Sequence, residues 1–275
     1  MSNARGEAGG LPRIVVTFGT RPEAIKMFPV VDALRAAGQF DVKVVVTAQH
    51  RELLDAMLAL AGLKPDIDLD LMQASQSLDA LSARLITRFG EALDALKPDR
   101  VLVHGDTLTT MMATLACYFR RIPVGHVEAG LRSGDIYSPW PEEVNRKVTG
   151  TIADLHFAPT ATAAAALRAE NVAETAIHVT GNTVIDALMF AQAKVAAEPA
   201  LAPAIAPLKA RFAGKRIIAV TAHRREISAV VWRRLRNLYR FLPHATMSRL
   251  SIRCTPIPMS PMSCARPWRD TTTSR

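Results

Sequence analysis

The stretch RIVVTFGTRPEAIKMFPVVDALRAAG, residues 13–38, decides the fold of this chain. Residues 13–19 are mostly apolar and β-branched, which predicts a buried strand. Residues 22–38 repeat apolar side chains at helical spacing and end on Gly38, which predicts a helix. Thr20 and Glu23 stand at the spacing of a capping box at its start. A strand that runs directly into a helix predicts the first half of a βαβ unit.

The same alternation continues along the chain. Further strands are predicted at 42–48, 67–71, 100–105, 122–129, 155–159 and 176–181. Helices are predicted at 51–62, 77–96 and 107–119, around 142–153, and after each of the last two strands. Strands that alternate with helices indicate a parallel sheet covered on both faces. We therefore expect an α/β fold with a Rossmann-like sheet and right-handed crossovers.

Changes in composition predict the domain boundaries. We expect a flexible N-terminus at 1–12, a Rossmann-like domain at 13–198 and an Ala- and Pro-rich linker at 199–214. Residues 215–226 include RIIAVTAHRRE, which repeats the pattern of RIVVTFGTRPE at the start of the first domain. This repeat predicts the first strand and turn of a second domain. Residues 227–275 form an arginine-rich tail of a different character.

That tail sets the net charge of the whole chain. Its nine Arg and one Asp supply +8 of the overall +9, so the preceding residues are nearly neutral. A pI near 9.9 usually points to nucleic acid, but here it describes only the tail. We expect no nucleic-acid partner, no membrane association and a cytoplasmic location, with Cys117 as a buried structural thiol.

The first predicted helix start has two readings. Thr20 and Glu23 can simply cap the helix, or the free N–H groups can join Arg21 and Lys26 in an anion site for a phosphate or diphosphate. The segment is neither a GxGxxG fingerprint nor a P-loop, so ordinary NAD or ATP binding is not indicated.

Carboxylates follow the next strand ends. Asp106 and Glu128 end consecutive predicted strands, and paired carboxylates there suit general acid–base chemistry if those strands are neighbours. The alternative for Asp106 is a helix cap, and for Glu142 and Glu143 a favourable charge at a helix start. His223 follows the predicted strand of the second domain. It has two readings: a residue that faces the cleft between the domains, where Asp106 and Glu128 are expected, or a structural histidine. The residues alone favour a phosphorylated or nucleotide substrate and leave the reaction open.

Six blocks together resemble the bacterial non-hydrolysing UDP-N-acetylglucosamine 2-epimerases. They are FGTRPEAIKMFP, TAQHRELLD, VHGDTLTT, IPVGHVEAGLRSGDIYSPWPEEVNR, TGNTVIDAL and VTAHRRE. The resemblance implies a two-domain, GT-B-like fold and interconversion of UDP-GlcNAc and UDP-ManNAc by anti elimination of UDP, followed by re-addition. It also implies a homodimer and no nicotinamide cofactor, and we expect no other cofactor and no metal.

The resemblance also implies residue roles. Asp106, Glu128 and Glu142 match the family's catalytic carboxylates, and Lys26 and His223 its catalytic lysine and histidine. Arg21 matches a nucleotide-contacting arginine, and Lys26, Asp106, Glu128 and His223 are expected to bind substrate as well. TAQHRE and Met72-Gln73 lie where some members bind a second, regulatory UDP-GlcNAc.

The resemblance stops after Glu226. Read one nucleotide out of register, ISAVVWRRLR can encode FGGGLEEI, and residues 247–260 can encode VQIVYPVHxNPNV, both similar to family motifs. We therefore expect a one-base loss near the Glu226 codon, a second domain that is largely missing, and impaired activity.

Three alternatives stay open at this stage. A GT-B glycosyltransferase would share the fold and the nucleotide sugar but would need an acceptor. A nucleic-acid-binding protein would use the arginine tail. The chain could also be an inactive truncated epimerase.

Overall fold

A computed structural model describes residues 10–47, 51–71, 76–203 and 205–214. The described residues fall into two units that divide after Ala202. The strands of the first unit are β1 Arg13–Phe18, β2 Asp41–Val46, β3 Ile67–Asp68, β4 Arg100–His104, β5 Val124–Val127, β6 Leu155–Ala158 and β7 Ile177–Val179. Its helices are α1 Arg21–Ala37, α2 Arg51–Ala61, α3 Leu78–Leu96, α4 Leu108–Phe119, α5 Glu142–Ile152, α6 Ala161–Ala169 and α7 Val184–Ala197. The described part of the second unit contains α8 Ile205–Arg211.

The strands form one parallel sheet in the order β3-β2-β1-β4-β5-β6-β7. Val16 pairs with Val44 on one side and with Leu102 on the other, so β1 lies between β2 and β4. The chain order reverses there, and such a switch point opens a crevice at the carboxyl ends of the strands. The predicted α/β Rossmann-like fold is confirmed.

Both faces of the sheet are covered. Val16 and Phe18 pack with Met27 of α1 in one apolar cluster. Val15 packs on the opposite face with Phe89 of α3, in a second cluster. Cys117 of α4 is fully buried in that second cluster, and burial raises the pKa of its thiol, as expected for a structural cysteine.

All seven strands of the sheet are shorter than the sequence predicts, and two of them end close to a left-handed residue. β3 ends at Asp68, because Asp70 adopts a left-handed backbone with φ 45°. β5 ends at Val127, because Glu128 is left-handed with φ 61°. In both cases a non-glycine residue leaves the extended conformation, which apolar periodicity does not reveal.

None of the helices in the described ranges combines the length and the apolar character that crossing a bilayer requires. The predictions that concern 1–9 and 215–275, including His223 and the tail, lie outside the described residues, as do those for Met72-Gln73 and residues 48–50 of TAQHRE.

Candidate active site

Glu128 and Lys26 form an ion pair at the switch-point edge of the sheet. Glu128 directly follows β5, and Lys26 lies in the second turn of α1. The Lys26 Nζ donates to both Glu128 oxygens, at 2.7 Å to Oε1 and 2.6 Å to Oε2. The glutamate side chain is only 11% exposed, so the pair is held largely away from water. The sequence assigned both residues to the site, and the structure brings them together.

Two further side chains surround the Glu128 carboxylate. Asn182, before α7, donates from Nδ2 to Oε2 at 2.7 Å. The buried His104 places Nε2 at 3.9 Å from the same oxygen. Burial acts to raise the pKa of Glu128. Attraction from His104, once that ring is protonated in acid, outweighs burial when it is combined with attraction from Lys26 and hydrogen bonds from Lys26 and Asn182, so the pKa lies below its usual value. Burial lowers the pKa of His104 to about 4, which leaves its imidazole neutral at pH 7.

Asp106 has its own cationic partner. It follows β4, which pairs with β5, so the two candidate carboxylates do come from neighbouring strands as expected. The Arg146 guanidinium of α5 forms an ion pair with the Asp106 carboxylate, and Asn145 donates to the Asp106 carbonyl oxygen at 2.8 Å. Thr107, rather than Asp106, caps α4 by accepting from the Thr110 N–H at 3.2 Å. The aspartate side chain is therefore held by α5 and does not serve as the helix cap.

The two acids at the start of α5 have different surroundings. Glu143 is fully buried and accepts from the N–H groups of Ser133 and Gly134, at 3.1 and 3.2 Å. The Glu142 Oε2 is buried and has no hydrogen-bond partner within the described residues. A favourable charge at the helix start is therefore not the whole role of Glu143, because its carboxylate also anchors the preceding loop.

The start of α1 carries an internal carboxylate. Glu23 is 2% exposed and accepts from the N–H groups of Gly19 and Thr20, at 3.0 and 2.8 Å. It also accepts from the Thr107 hydroxyl at 2.6 Å, which ties α1 to the start of α4. The predicted capping box is confirmed. These N–H groups are thus already bonded, whereas Arg21 is exposed at the first residue of the helix.

Sequence reasoning missed Asn182, Arg146 and His104. Asn182 stands in the block TGNTVIDAL after a predicted strand, which is the position that marked the other candidates. Arg146 lies one helical turn after Glu142, so its position near the same edge could have been inferred. His104 ends a strand that looks uniformly buried, and nothing in its spacing distinguishes it from a core residue.

The geometry suits proton transfer beside an anionic substrate. Two carboxylates that follow adjacent strands are each paired with a cation, and for Glu128 this surrounding holds the pKa below its usual value. An ionised carboxylate can accept a proton, and Lys26 and Arg146 supply positive charge nearby. Both pairs lie at the edge where ligands bind in open parallel sheets.

Comparison with known proteins gives a consistent result. A family model described as UDP-N-acetylglucosamine 2-epimerase matches residues 32–257. A probable UDP-N-acetylglucosamine 2-epimerase of Ralstonia solanacearum is 51% identical over 217 residues, which are 78% of this chain and 58% of that protein. The UDP-N-acetylglucosamine 2-epimerase of Escherichia coli K12 is 50% identical over 218 residues, 57% of its length.

Solved structures agree. The UDP-GlcNAc 2-epimerase from Neisseria meningitidis bound to UDP-GlcNAc matches with a TM-score of 0.70 and 44% identity, over 78% of this chain and 58% of that one. The chain thus spans somewhat over half the length of the relatives that it matches.

Proposed function

This chain belongs to the UDP-N-acetylglucosamine 2-epimerase family, and we propose that its activity is the interconversion of UDP-GlcNAc and UDP-ManNAc. The observation that carries the proposal is the Lys26–Glu128 ion pair at the switch point, beside the Asp106–Arg146 pair on the next strand. The complex of the Neisseria relative with UDP-GlcNAc supports the substrate.

The proposed reaction inverts C2 without any net oxidation. A base removes the C2 proton, the C1–O bond breaks, and UDP leaves with the bonding electron pair, which gives 2-acetamidoglucal. UDP then adds back to C1 while a proton returns to the opposite face of C2. Asp106, Glu128 and Glu142 are the candidate proton-transfer groups within the described residues, and His223 is a further candidate outside them.

The cations of the site can stabilise the negative charge that this reaction develops. Departing UDP carries negative charge that develops as the C1–O bond breaks, and a fixed positive group stabilises such charge. Lys26 fits this role because it lies in the second turn of α1, and its ammonium is already held by Glu128. Arg21 at the helix start is the proposed nucleotide contact.

Solvent exchange tests the proposal directly. The purified chain is incubated with UDP-GlcNAc in deuterium oxide, and C2 deuterium, UDP-ManNAc and UDP are followed by NMR. Exchange at C2 without any acceptor is expected, and E128Q is expected to reduce it at least about 100-fold, the usual loss for a general base. E91Q, which changes an exposed carboxylate of α3, is the matched control. Exchange that is equal in E128Q and E91Q would contradict the role of Glu128.

We also propose that turnover by this chain is low and that its intact relatives act as homodimers. Low turnover is expected because the sequence after Glu226 differs from the family motifs in its reading frame, so uridine and diphosphate contacts would be lost. Sedimentation of the purified chain measures its own oligomeric state.

A further inference from the structure

The two oxygens of the Glu128 carboxylate have different surroundings. Oε2 accepts from Lys26 at 2.6 Å and from Asn182 at 2.7 Å, and it lies 3.9 Å from the His104 ring. Oε1 accepts from Lys26 at 2.7 Å. A Cβ added to Gly105 would lie 3.9 Å from Oε1, so this oxygen faces the loop that leads into Asp106.

The orientation of the Asn182 amide follows from its second hydrogen bond. Its Oδ1 accepts from the N–H of Val184, the first residue of α7, at 3.0 Å. A backbone N–H can only donate, so the oxygen of the amide must face the helix and the NH₂ group must face Glu128. The helix start therefore sets the direction in which Asn182 donates.

We propose that Asn182 is a positioning residue, which fixes Glu128 through Oε2 and leaves Oε1 as the oxygen that exchanges the proton. Lys26 alone cannot select an oxygen, because its ammonium contacts both at nearly equal distances. The neutral His104 and the Asn182 amide lie on the Oε2 side, so that side is already occupied by protein groups. The proton-transfer part of this inference rests on the proposed function, whereas the positioning part does not.

The Asn182–Glu128 contact links two distant parts of the chain. Glu128 has a left-handed backbone immediately after β5, and Asn182 precedes α7 at the sheet edge formed by β6 and β7. A hydrogen bond to a charged acceptor is stronger than one between neutral groups, which suits a role in holding the carboxylate. The turn that precedes α7 needs only an acceptor oxygen at position 182, so the NH₂ group is not required for that turn.

The experiment compares N182A with N182S in the full chain. Both variants lose the Nδ2 amide that donates to Glu128, but serine keeps a hydroxyl oxygen that can accept from the Val184 N–H as Oδ1 does. The serine Oγ ends one bond short of the position of Nδ2. NMR titration of the Glu128 side-chain carboxyl carbon, assigned with E128Q, reports the pKa without any turnover. Both variants are expected to raise the pKa of Glu128 by about one unit, since a hydrogen bond to the charged form is lost.

Two results would overturn the proposal. One is a Glu128 pKa equal to that of the wild type in both variants. The other is a shift in N182A that N182S does not share, which would assign Asn182 only to the turn that precedes α7. The titration needs no substrate, so it can be interpreted even if the proposed epimerisation is wrong. C2 exchange in the same variants tests the proton transfer separately.

Discussion

His126 holds the turn before Asp106. It is fully buried on β5, and its Nε2–H donates to the Gly105 carbonyl oxygen at 2.7 Å. Gly105 has φ 67°, a conformation that glycine adopts without steric cost. Burial lowers the pKa of His126 to about 3, so the ring is neutral and can act as a directed donor.

The buried histidine predicts sensitivity to acid. An unfolded histidine takes up a proton below pH 6.5, whereas folded His126 does so only near pH 3, so the free energy of unfolding falls as the pH drops through this window. H126Q keeps a donor near Nε2 but cannot titrate, and its free energy of unfolding is expected to depend less on pH there. Urea unfolding at several pH values measures this, with exposed His178 replaced in H178Q as control. Equal slopes in the wild type and H126Q would contradict the role of His126.

The site residues differ in how far the sequence could predict them. Lys26, Asp106, Glu128 and Glu142 were found because polar residues after strands, and the family resemblance, point to them. The pairing of Lys26 with Glu128 was not predicted, since the two residues are 102 positions apart and only the packed sheet brings them together. The partners Arg146 and Asn182 were missed for the same reason. The burial of Glu23 also escaped prediction, because a capping box alone is compatible with an exposed side chain.

At the scale of elements, the loop from Gly130 to Pro141 is fixed to the domain at several places. Glu143 of α5 bonds to Ser133 and Gly134, Gly130 packs against α6, and Arg132 forms an ion pair with Glu170 after α6. Between these anchors and α5 the loop exposes Tyr137 and Trp140. The loop is thus an anchored segment with exposed aromatic side chains beside the candidate site.

The Glu143 anchor gives a prediction for E143Q. Each carboxylate oxygen accepts one N–H, so the NH₂ group of glutamine would face a donor in either orientation. A loss of about 1–3 kcal/mol in the free energy of unfolding is expected, the usual effect of leaving a buried group unpaired. Hydrogen exchange at the Ser133 and Gly134 amides is expected to speed up. E142Q makes the same change at the preceding residue and should leave both amides protected; equal exchange in the two variants would refute the anchor.

Gly130 gives a second prediction at this scale. Gly130 and Gly134 share φ 84°, but a Cβ at Gly130 would lie 2.2 Å from the Ala163 carbonyl oxygen, whereas Gly134 has nothing within 4 Å. G134A is expected to cost about 1–2 kcal/mol through its left-handed backbone alone. G130A is expected to cost at least about 1–3 kcal/mol more, because overpacking is added. Denaturant unfolding of both variants measures the difference. Equal losses in the free energy of unfolding would contradict the prediction, because they would mean that α6 shifts away from the added Cβ without destabilising the fold.

Element boundaries show where the sequence signal weakens. Periodicity predicted every strand of the sheet, because a two-faced parallel sheet requires continuous apolar runs. It overestimated β3 and β5 at their carboxyl ends, where the left-handed Asp70 and Glu128 interrupt extended backbone. The pattern of apolar residues indicates which positions are buried, but it does not predict the dihedral angle of a single residue.

At the scale of the whole molecule, the strand order concentrates the candidates. β1, β4 and β5 are adjacent although residues 13 and 127 are far apart in the chain. Asp106 and Glu128 follow β4 and β5, and Lys26 lies on the helix that follows β1. The match covers 58% of the Ralstonia protein, so the rest of that protein has no counterpart in the match. The family model nevertheless matches as far as residue 257, beyond Glu226.

The reading frame supplies the prediction for the whole chain. Sequencing the DNA across the codons for Arg225 to Ser228, beside that of an intact relative, is expected to show one base missing. A gene with that base restored should encode FGGGLEEI after Glu226 and give a product with greater C2 exchange than this chain. Exchange that is no faster after restoration would contradict the expectation that the altered frame limits turnover.

The backbone of Glu128 sets stability and site chemistry against each other. At φ 61° a glutamate is about 1–2 kcal/mol less favourable than glycine, and asparagine would tolerate the angle better. E128G would relieve this strain, but it would remove the carboxylate that Lys26 and Asn182 bind. The residue that suits the backbone best at this position and the residue that supplies an anion to the site are therefore different.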